Sequence, residues 1–144
     1  MESFCGVGNP FSLGEIKEGE DVLDIGCGGG VDTMIAATMV GPTGKVVGTD
    51  MSSEMVKRAR HNLSLTHFSK VSYQESSAEY LPFPDHNFDV VISSGVFNLV
   101  PDKVKALKEV FRVMKPGGRF MMADQVLTGH LSEDVKARVD NWAG

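Results

Sequence analysis

The sequence predicts an α/β fold in which a mainly parallel sheet of about five strands is covered by helices on both faces. Short apolar segments alternate along the chain with segments of helical spacing, and glycine or proline residues separate them. A strand, a helix and a further strand in that order form a right-handed crossover between parallel strands. Folds of this class bind ligands beyond the carboxyl ends of their strands, so the residues that follow each strand are the candidates for a site.

The first half of the chain contains three predicted strands and two predicted helices. The strands span residues 21–26, 44–50 and 71–76, and the helices span residues 31–40 and 53–63. Gly41 and Pro42 end the first helix, because neither residue continues an α-helix well. Ser52 is a candidate N-cap of the second helix, and Glu54 lies in its first turn, where the helix dipole favours an acidic side chain.

The second half repeats the alternation after a proline-containing loop at residues 81–87. Apolar residues at 88–94 predict a fully buried strand, and Pro101 and Asp102 open a helix. The helix carries apolar residues at helical spacing, namely Val104, Leu107, Phe111 and Met114. The sequence 115–118 ends this helix, residues 119–126 form the fifth predicted strand, and Ser132 begins a last predicted helix.

Composition excludes several classes of protein. The 144 residues predict one domain spanning 1–144, and a net charge of -5 with scattered basic residues argues against a nucleic-acid partner. No segment is long and apolar enough to predict a membrane span, and the first residues do not resemble a signal peptide. Two cysteines, Cys5 and Cys27, give neither a disulfide framework nor a metal motif, so we expect a cytoplasmic protein without a bound metal.

A glycine-rich loop follows the first predicted strand and contains Gly26, Gly28, Gly29 and Gly30. Glycine permits positive φ angles and places no Cβ between the main chain and a ligand, and the amides at a helix start favour anionic groups. The loop could therefore hold a pyrophosphate or a carboxylate. The dinucleotide fingerprint would require a third glycine at Val31, and a tight turn without any ligand remains an alternative.

Asp50 ends the second predicted strand, 24 positions after Gly26. A carboxylate there can accept hydrogen bonds from both hydroxyls of a ribose, a role known in nucleotide sites at about this spacing. The alternative for Asp50 is a helix-entry cap, which Ser52 would supply better, so we favour the ribose role. Met51 could pack on an adenine or belong to the core.

Four segments together resemble the class I S-adenosylmethionine-dependent methyltransferases: VLDIGCGGG, VVGTDMSSEMVKRAR, SAEYLPFPDHNFDVVISSGVFNL and ALKEVFRVMKPGGRFMMAD. The resemblance implies a three-layer Rossmann-like methyltransferase fold with S-adenosyl-L-methionine as cofactor. The segments GVGNP, SSGVFNLVPDK and ADQVLTGHLSED are most similar to the arsenite methyltransferases. The family sheet normally continues past the fifth strand with a helix and an antiparallel strand pair. Here the sequence ends in the predicted last helix, so we expect the strand pair to be lacking.

The resemblance implies ten cofactor-binding residues: Asp24, Gly26, Cys27, Gly28, Asp50, Met51, Ser77, Ala78, Ser93 and Ser94. The resemblance implies that Asp24 and the main chain of the glycine loop would contact the methionine part of the cofactor. It also implies that Asp50 would contact the ribose and that Met51 would lie beside the adenine. The turn at 77–79 would meet the adenine edge, and residues 93–96 would lie beside the amino group and the sulfonium. Many family members have an aspartate where this chain has Ser77, and serine would accept from the adenine amino group more weakly.

Arsenite methyltransferases bind their substrate through cysteines, and this sequence has other residues at the positions that the resemblance matches to them. Their positions match Val7 and Gly95 here, and a third would follow Gly144. We therefore expect a methyltransferase acting on a small-molecule acceptor other than arsenite, with no assigned catalytic residue. The alternatives are a non-catalytic S-adenosylmethionine-binding module or truncated remnant, and a nicotinamide-dependent oxidoreductase, which Val31 disfavours.

A shortened sheet would also leave an edge and apolar surface exposed. The sequence therefore suggests a homodimer with Val135, Val139 and Trp142 near the contact. The alternative is that the last helix packs back on its own sheet.

Overall fold

The structure, a computed structural model, describes residues 15–123. In this part of the chain, parallel strands form one sheet in the order β3-β2-β1-β4-β5. The strands are β1 Asp21–Ile25, β2 Lys45–Asp50, β3 Val71–Glu75, β4 Phe88–Ser94 and β5 Met114–Ala123. The helices are α1 Val31–Val40, α2 Ser53–Ser64 and α3 Lys103–Val113. The predicted α/β class with about five strands is confirmed.

The strand order reverses direction between β1 and β4. The chain runs outward from β1 through β2 to β3, and then returns to place β4 on the other side of β1. The two strands are in register near their carboxyl ends, where Ile25 pairs with Ser93. A crevice outside the carboxyl ends of the strands is expected at such a reversal.

Both faces of the sheet are covered by helices. On one face, strand residues Val22, Val46, Val90 and Ile92 form a buried core with α1 residues Ala36, Ala37 and Val40. On the other face, Leu23, Ile25 and Val91 pack with α3 residues Ala106, Val110 and Val113. Burial on both sides explains why β1, β2 and β4 contain adjacent apolar residues, at 22–23, 46–47 and 90–92, instead of alternating apolar and polar ones.

The buried face of α3 differs from the one that its large apolar residues suggest. Asp102 caps the helix by accepting a hydrogen bond from the Lys105 amide at 3.0 Å. The small residues Ala106 and Val110 face the sheet, whereas Val104 and Phe111 are 53% and 63% exposed. Close packing of α3 on the sheet favours small side chains at the contact, so residue size alone indicates the wrong face here.

Strand β5 begins earlier than predicted. Met114 pairs with Phe88 directly after α3, and an irregularity precedes the pairing of Arg119 with Val90. The sequence 115–118 therefore lies within the strand, and Gly117, with φ of 82°, accommodates the irregularity. The predicted residues 124–126 of this strand lie outside the described residues, as do the predicted last helix and Val135, Val139 and Trp142. Across residues 15–123, no helix is long and apolar enough to cross a membrane.

Candidate functional site

The glycine loop connects β1 to α1 at the carboxyl edge of the sheet. The amides of Gly26 and Cys27 both donate to the Thr49 carbonyl, at 2.7 and 2.8 Å, which fastens the loop to the end of β2. Gly26 and Gly28 have φ angles of 72° and 55°, a region that other residues rarely adopt. A Cβ on Gly26 would overlap Cγ2 of Val96, so the chain after β4 packs directly against bare main chain.

Gly28 is the open point of this loop. Among residues 15–123, a Cβ built on Gly28 would find no heavy atom within 4 Å. Its main chain therefore faces free space, where a ligand could approach as closely as the predicted contact requires.

Asp50 joins the glycine loop to the start of α2. Its Oδ2 accepts a hydrogen bond from the Gly28 amide at 2.9 Å, and its Oδ1 accepts from the Ser52 amide at 2.9 Å. Ser52 is the N-cap of α2, accepting from the Met55 amide at 3.3 Å, as predicted. Asp50 therefore has a contact at the helix entry in addition to its place beside the loop. Each carboxylate oxygen can accept a further hydrogen bond, so both contacts leave capacity for a ligand.

Asp24 lies beneath the loop, in the α1 face of the sheet. It is 1% exposed, and its Oδ2 accepts from Thr33 Oγ1 in α1 at 2.8 Å. Burial raises the pKa of Asp24 to about 8, and the Coulombic effects of Asp32 and Asp50 add to this increase while the Thr33 hydrogen bond opposes it. The carboxyl group therefore carries its proton at neutral pH in the ligand-free protein.

Two serine hydroxyls at the end of β4 lack partners among the described residues. Ser93 Oγ and Ser94 Oγ are buried and form no hydrogen bond. Buried polar atoms without partners are rare in native structures and call for an explanation, such as a missing ligand or water. Both predicted residues therefore lie at the strand reversal with unused hydrogen-bonding capacity.

The remaining predicted residues differ in how exposed they are and in what they contact. Met51 is 75% exposed, so the core alternative for this side chain is wrong. Ser77 Oγ accepts from the Glu79 amide at 3.1 Å, and Ala78 packs against the α3-side core. Cys27 is a buried free thiol packed with Val56, Ala59 and Tyr73, so only its main chain could serve a ligand on the open side of the loop.

Sequence reasoning did not identify two groups that shape this site. Thr33 is the partner of Asp24, but its only local signal was a polar residue in the first turn of an apolar helix. Tyr73 reaches from β3 to the Gly30 carbonyl, at 3.3 Å, and burial raises its pKa to about 12. Within residues 15–123, no group of three or more His, Cys, Asp or Glu side chains could hold a metal ion.

In comparisons with known proteins, this chain is similar to methyltransferases. A family model described as a methyltransferase domain matches residues 16–144. An arsenite methyltransferase from Halobacterium salinarum is 39% identical over 96% of this chain and 36% of its own length. The ubiquinone/menaquinone biosynthesis C-methyltransferase UbiE of Pasteurella multocida is 41% identical over 76% of this chain and 41% of its own length.

A solved structure supports the same relationship. The S-adenosylmethionine-dependent methyltransferase from Aquifex aeolicus superposes with a TM-score of 0.81 at 26% identity, over 99% of this chain and 80% of that one. This chain spans only about two fifths or less of the length of the two curated relatives.

Proposed function

Because the chain belongs to the class I S-adenosylmethionine-dependent methyltransferases, we propose that it binds this cofactor at the β1/β4 reversal for methyl transfer to a small-molecule acceptor. The family model and the similar proteins confirm the predicted family, its relation to the arsenite methyltransferases, and S-adenosylmethionine as the cofactor of the family. The activity of the chain itself, its acceptor and its site residues are our proposals.

The observation that carries the proposal is the contact between Asp50 and the open loop. A carboxylate with spare lone pairs lies 2.9 Å from the amide of Gly28, and no described residue occupies the space where a Cβ of Gly28 would point. A ribose diol offers two donors to such a carboxylate, and the atoms attached to the ribose could then run along the bare main chain. A tight turn without a ligand would use the carboxylate to hold the Gly28 and Ser52 amides, but it would not need the free space beside Gly28.

The other end of the crevice suits the amino-acid part of the cofactor. Asp24 is a buried carboxyl group, and Ser93 and Ser94 have hydroxyls without partners in the described part of the chain. A protonated amino group brings donors and a positive charge, and buried oxygen acceptors stabilise both. The residues present therefore fit a ligand that carries a diol at one end and an ammonium group at the other.

When bound, the cofactor supplies a methyl group on a sulfonium for direct displacement by the acceptor. The residues of this chain would hold both ends of the cofactor and keep water from the reacting centre. Asp50 and Gly28 would fix the nucleoside side, and Asp24 would fix the amino-acid side. Such a reaction requires positioning more than a dedicated acid or base, and we assign no catalytic residue.

Arsenite is not the acceptor that this chain favours, although an arsenite methyltransferase is among its relatives. Soft arsenic requires soft ligands, for which cysteine thiolates are suited. At the position where the resemblance places one of those cysteines, Gly95 has a φ of 73°, a conformation that a cysteine would adopt only with strain. We therefore propose an organic small molecule as acceptor, an inference that the relationship to a biosynthetic C-methyltransferase supports.

Isothermal titration calorimetry with S-adenosylmethionine and S-adenosylhomocysteine tests cofactor binding. Asp50→Ala should weaken both ligands by about 1–3 kcal/mol, because it removes a charged acceptor. Asp89→Ala is the matched control, since Asp89 accepts from the Asp21 amide at 2.9 Å at the opposite edge of the sheet and should leave binding unchanged.

Two outcomes would contradict the proposal: no binding by the unmodified chain, or equal binding by Asp50→Ala and the unmodified chain. Conversion of S-adenosylmethionine to S-adenosylhomocysteine with a panel of small acceptors then separates an enzyme from a binding module. The names of the relatives favour the enzyme.

A further inference from the structure

We propose that Arg112, in the last turn of α3, is a positioning residue for the adenine end of the cofactor. It would act through the loop that follows β3, by holding the Ser77–Ala78 turn against the site. This inference rests on the proposed function and adds to it a residue, within the segment ALKEVFRVMKPGGRFMMAD, to which the resemblance assigns no role.

The guanidinium of Arg112 uses all its donors. Its Nε donates to Glu109 Oε2 at 2.7 Å, and one terminal nitrogen donates to the Phe83 carbonyl at 2.8 Å and to Asp85 Oδ1 at 2.9 Å. The other terminal nitrogen donates to the Leu81 carbonyl at 2.9 Å and to Glu109 Oε1 at 3.0 Å. An arginine has five N–H donors in a fixed planar fork, so this site matches arginine and no other side chain.

Glu109 completes the fastening of the loop. Its Oε1 also accepts from the Leu81 amide at 2.8 Å, so side chains of α3 bind both main-chain groups of that residue. The Arg112 hydrogen bond lowers the pKa of Glu109, which keeps the acceptor charged. The loop contains Pro82 and Pro84 and no regular secondary structure, so its carbonyls depend on such side-chain partners.

The loop residues that Arg112 and Glu109 bind are directly linked to the turn at 77–79, which the resemblance places at the adenine edge. The Tyr80 amide donates to the Ser77 carbonyl at 3.2 Å, and Ser76 Oγ donates to the Tyr80 carbonyl at 3.3 Å. Lys105 Nζ lies 3.6 Å from the centre of the Tyr80 ring, which adds a cation–π contact between loop and helix. The position of Ser77 is therefore set by a short chain of contacts that ends on α3.

A positioning role predicts an effect on the recognition of one part of the ligand. The adenine amino group is a donor, and a hydrogen bond to the 77–79 turn requires an acceptor at a defined place. Hypoxanthine has a carbonyl oxygen in place of that amino group and cannot donate there. If Arg112 holds the turn, its loss should reduce the preference for adenine over hypoxanthine, because a displaced acceptor no longer distinguishes the two bases.

The test measures the affinities of S-adenosylhomocysteine and S-inosylhomocysteine for the unmodified chain and for Arg112→Lys. Lysine keeps the positive charge but cannot serve two carbonyls and two carboxylates in a fixed fork. We expect the unmodified chain to prefer the adenine ligand about tenfold, the value of one hydrogen bond. In Arg112→Lys the ratio of affinities should fall towards one.

Arg119→Lys is the matched control. Arg119 forms a comparable pair with Glu20, with a closest contact of 2.6 Å, at the amino edge of the sheet away from the proposed site. A purely structural loss reduces the folded fraction and weakens both ligands equally, so the ratio would not change. Arg119→Lys should therefore lower stability and keep the ratio.

The inference is overturned if folded Arg112→Lys keeps the full preference, or if the unmodified chain binds both ligands equally. If Arg112→Lys does not fold, Glu109→Gln decides, because it keeps the size of the side chain while removing the charge that orients Arg112. A smaller ratio in Glu109→Gln supports the positioning role, and an unchanged ratio overturns it. Absence of binding to the unmodified chain would overturn the proposed function together with this inference, whereas binding without discrimination overturns this inference alone.

Discussion

Replacement of Asp24 by asparagine should change how stability depends on pH. The folded protein holds the Asp24 carboxyl in its protonated form up to a pKa of about 8, whereas the unfolded chain titrates it at 3.8. Between these two values the unfolded state binds fewer protons than the folded state. The free energy of unfolding of the unmodified chain should therefore decrease as the pH rises through this window.

The size of the effect follows from the two pKa values. One pH unit corresponds to about 1.4 kcal/mol when a single proton separates the two states. The contribution of Asp24 is greatest below pH 4, declines by about 4 kcal/mol on the way to pH 7, and stops declining above the folded pKa of about 8. Asparagine does not titrate and can still accept the hydrogen bond from Thr33, so the variant lacks this decline.

Urea unfolding of both proteins at intervals between pH 5 and pH 9 measures the difference. We expect the variant to gain stability relative to the unmodified chain by about 2–3 kcal/mol between pH 5 and pH 7, with a constant difference above pH 8. Any fixed cost of the new amide group shifts the whole curve and does not affect the slope. Parallel curves between pH 5 and pH 7 would refute the assignment of a buried, protonated carboxyl group to Asp24.

Three further predictions concern the glycine loop and its surroundings. Gly28→Ala and Gly117→Ala each introduce a Cβ at a positive φ where no described residue lies within 4 Å, so each should lower the free energy of unfolding by about 1 kcal/mol. In calorimetry, only Gly28→Ala should lose binding of S-adenosylhomocysteine. Equal binding by the two variants would contradict a contact between Gly28 and the ligand. Ser52→Ala should lower the free energy of urea unfolding by about 1 kcal/mol through loss of the N-cap, and an unchanged value would contradict the capping role. At pH 7, binding of S-adenosylhomocysteine should release a proton from Asp24. The measured binding enthalpy should therefore change with the ionisation enthalpy of the buffer. In Asp24→Asn it should be the same in every buffer.

The ends of helices and strands were predicted correctly where residues near those ends in the sequence determine them. The bounds of α1 and β4 agree with the structure, because a glycine loop, Gly41 and the apolar sequence of β4 mark them in the chain itself. Ser52 was predicted as an N-cap because its hydroxyl needs only the amide three positions later. The start of β5 was missed because it depends on pairing with Phe88, which is distant in sequence.

The same distinction applies to the site. The glycine loop and Asp50 carry signals in residue type and spacing, and the structure brings them within 2.9 Å of each other. The pairing of Asp24 with Thr33 depends on how α1 packs on the sheet, which residue spacing does not specify. Two of the five hydrogen bonds of Arg112 go to Glu109, three positions earlier on the same helix, a spacing that the sequence does show. The other three reach 27 to 31 positions away, and residue spacing does not indicate them.

The geometry of Asp50 bears on why a carboxylate serves better than another acceptor at this position. Its two oxygens are already held by the Gly28 and Ser52 amides, so the side chain is fixed without a ligand. A fixed acceptor loses less conformational freedom on binding than a mobile one, which lowers the cost of recognition. Asparagine could accept at only one of the two amides, because its NH₂ group would face the second N–H. The two main-chain contacts that position the group for a ribose therefore also select the charged acid over its amide, and Asp50→Asn should lose more affinity than the removal of charge alone accounts for.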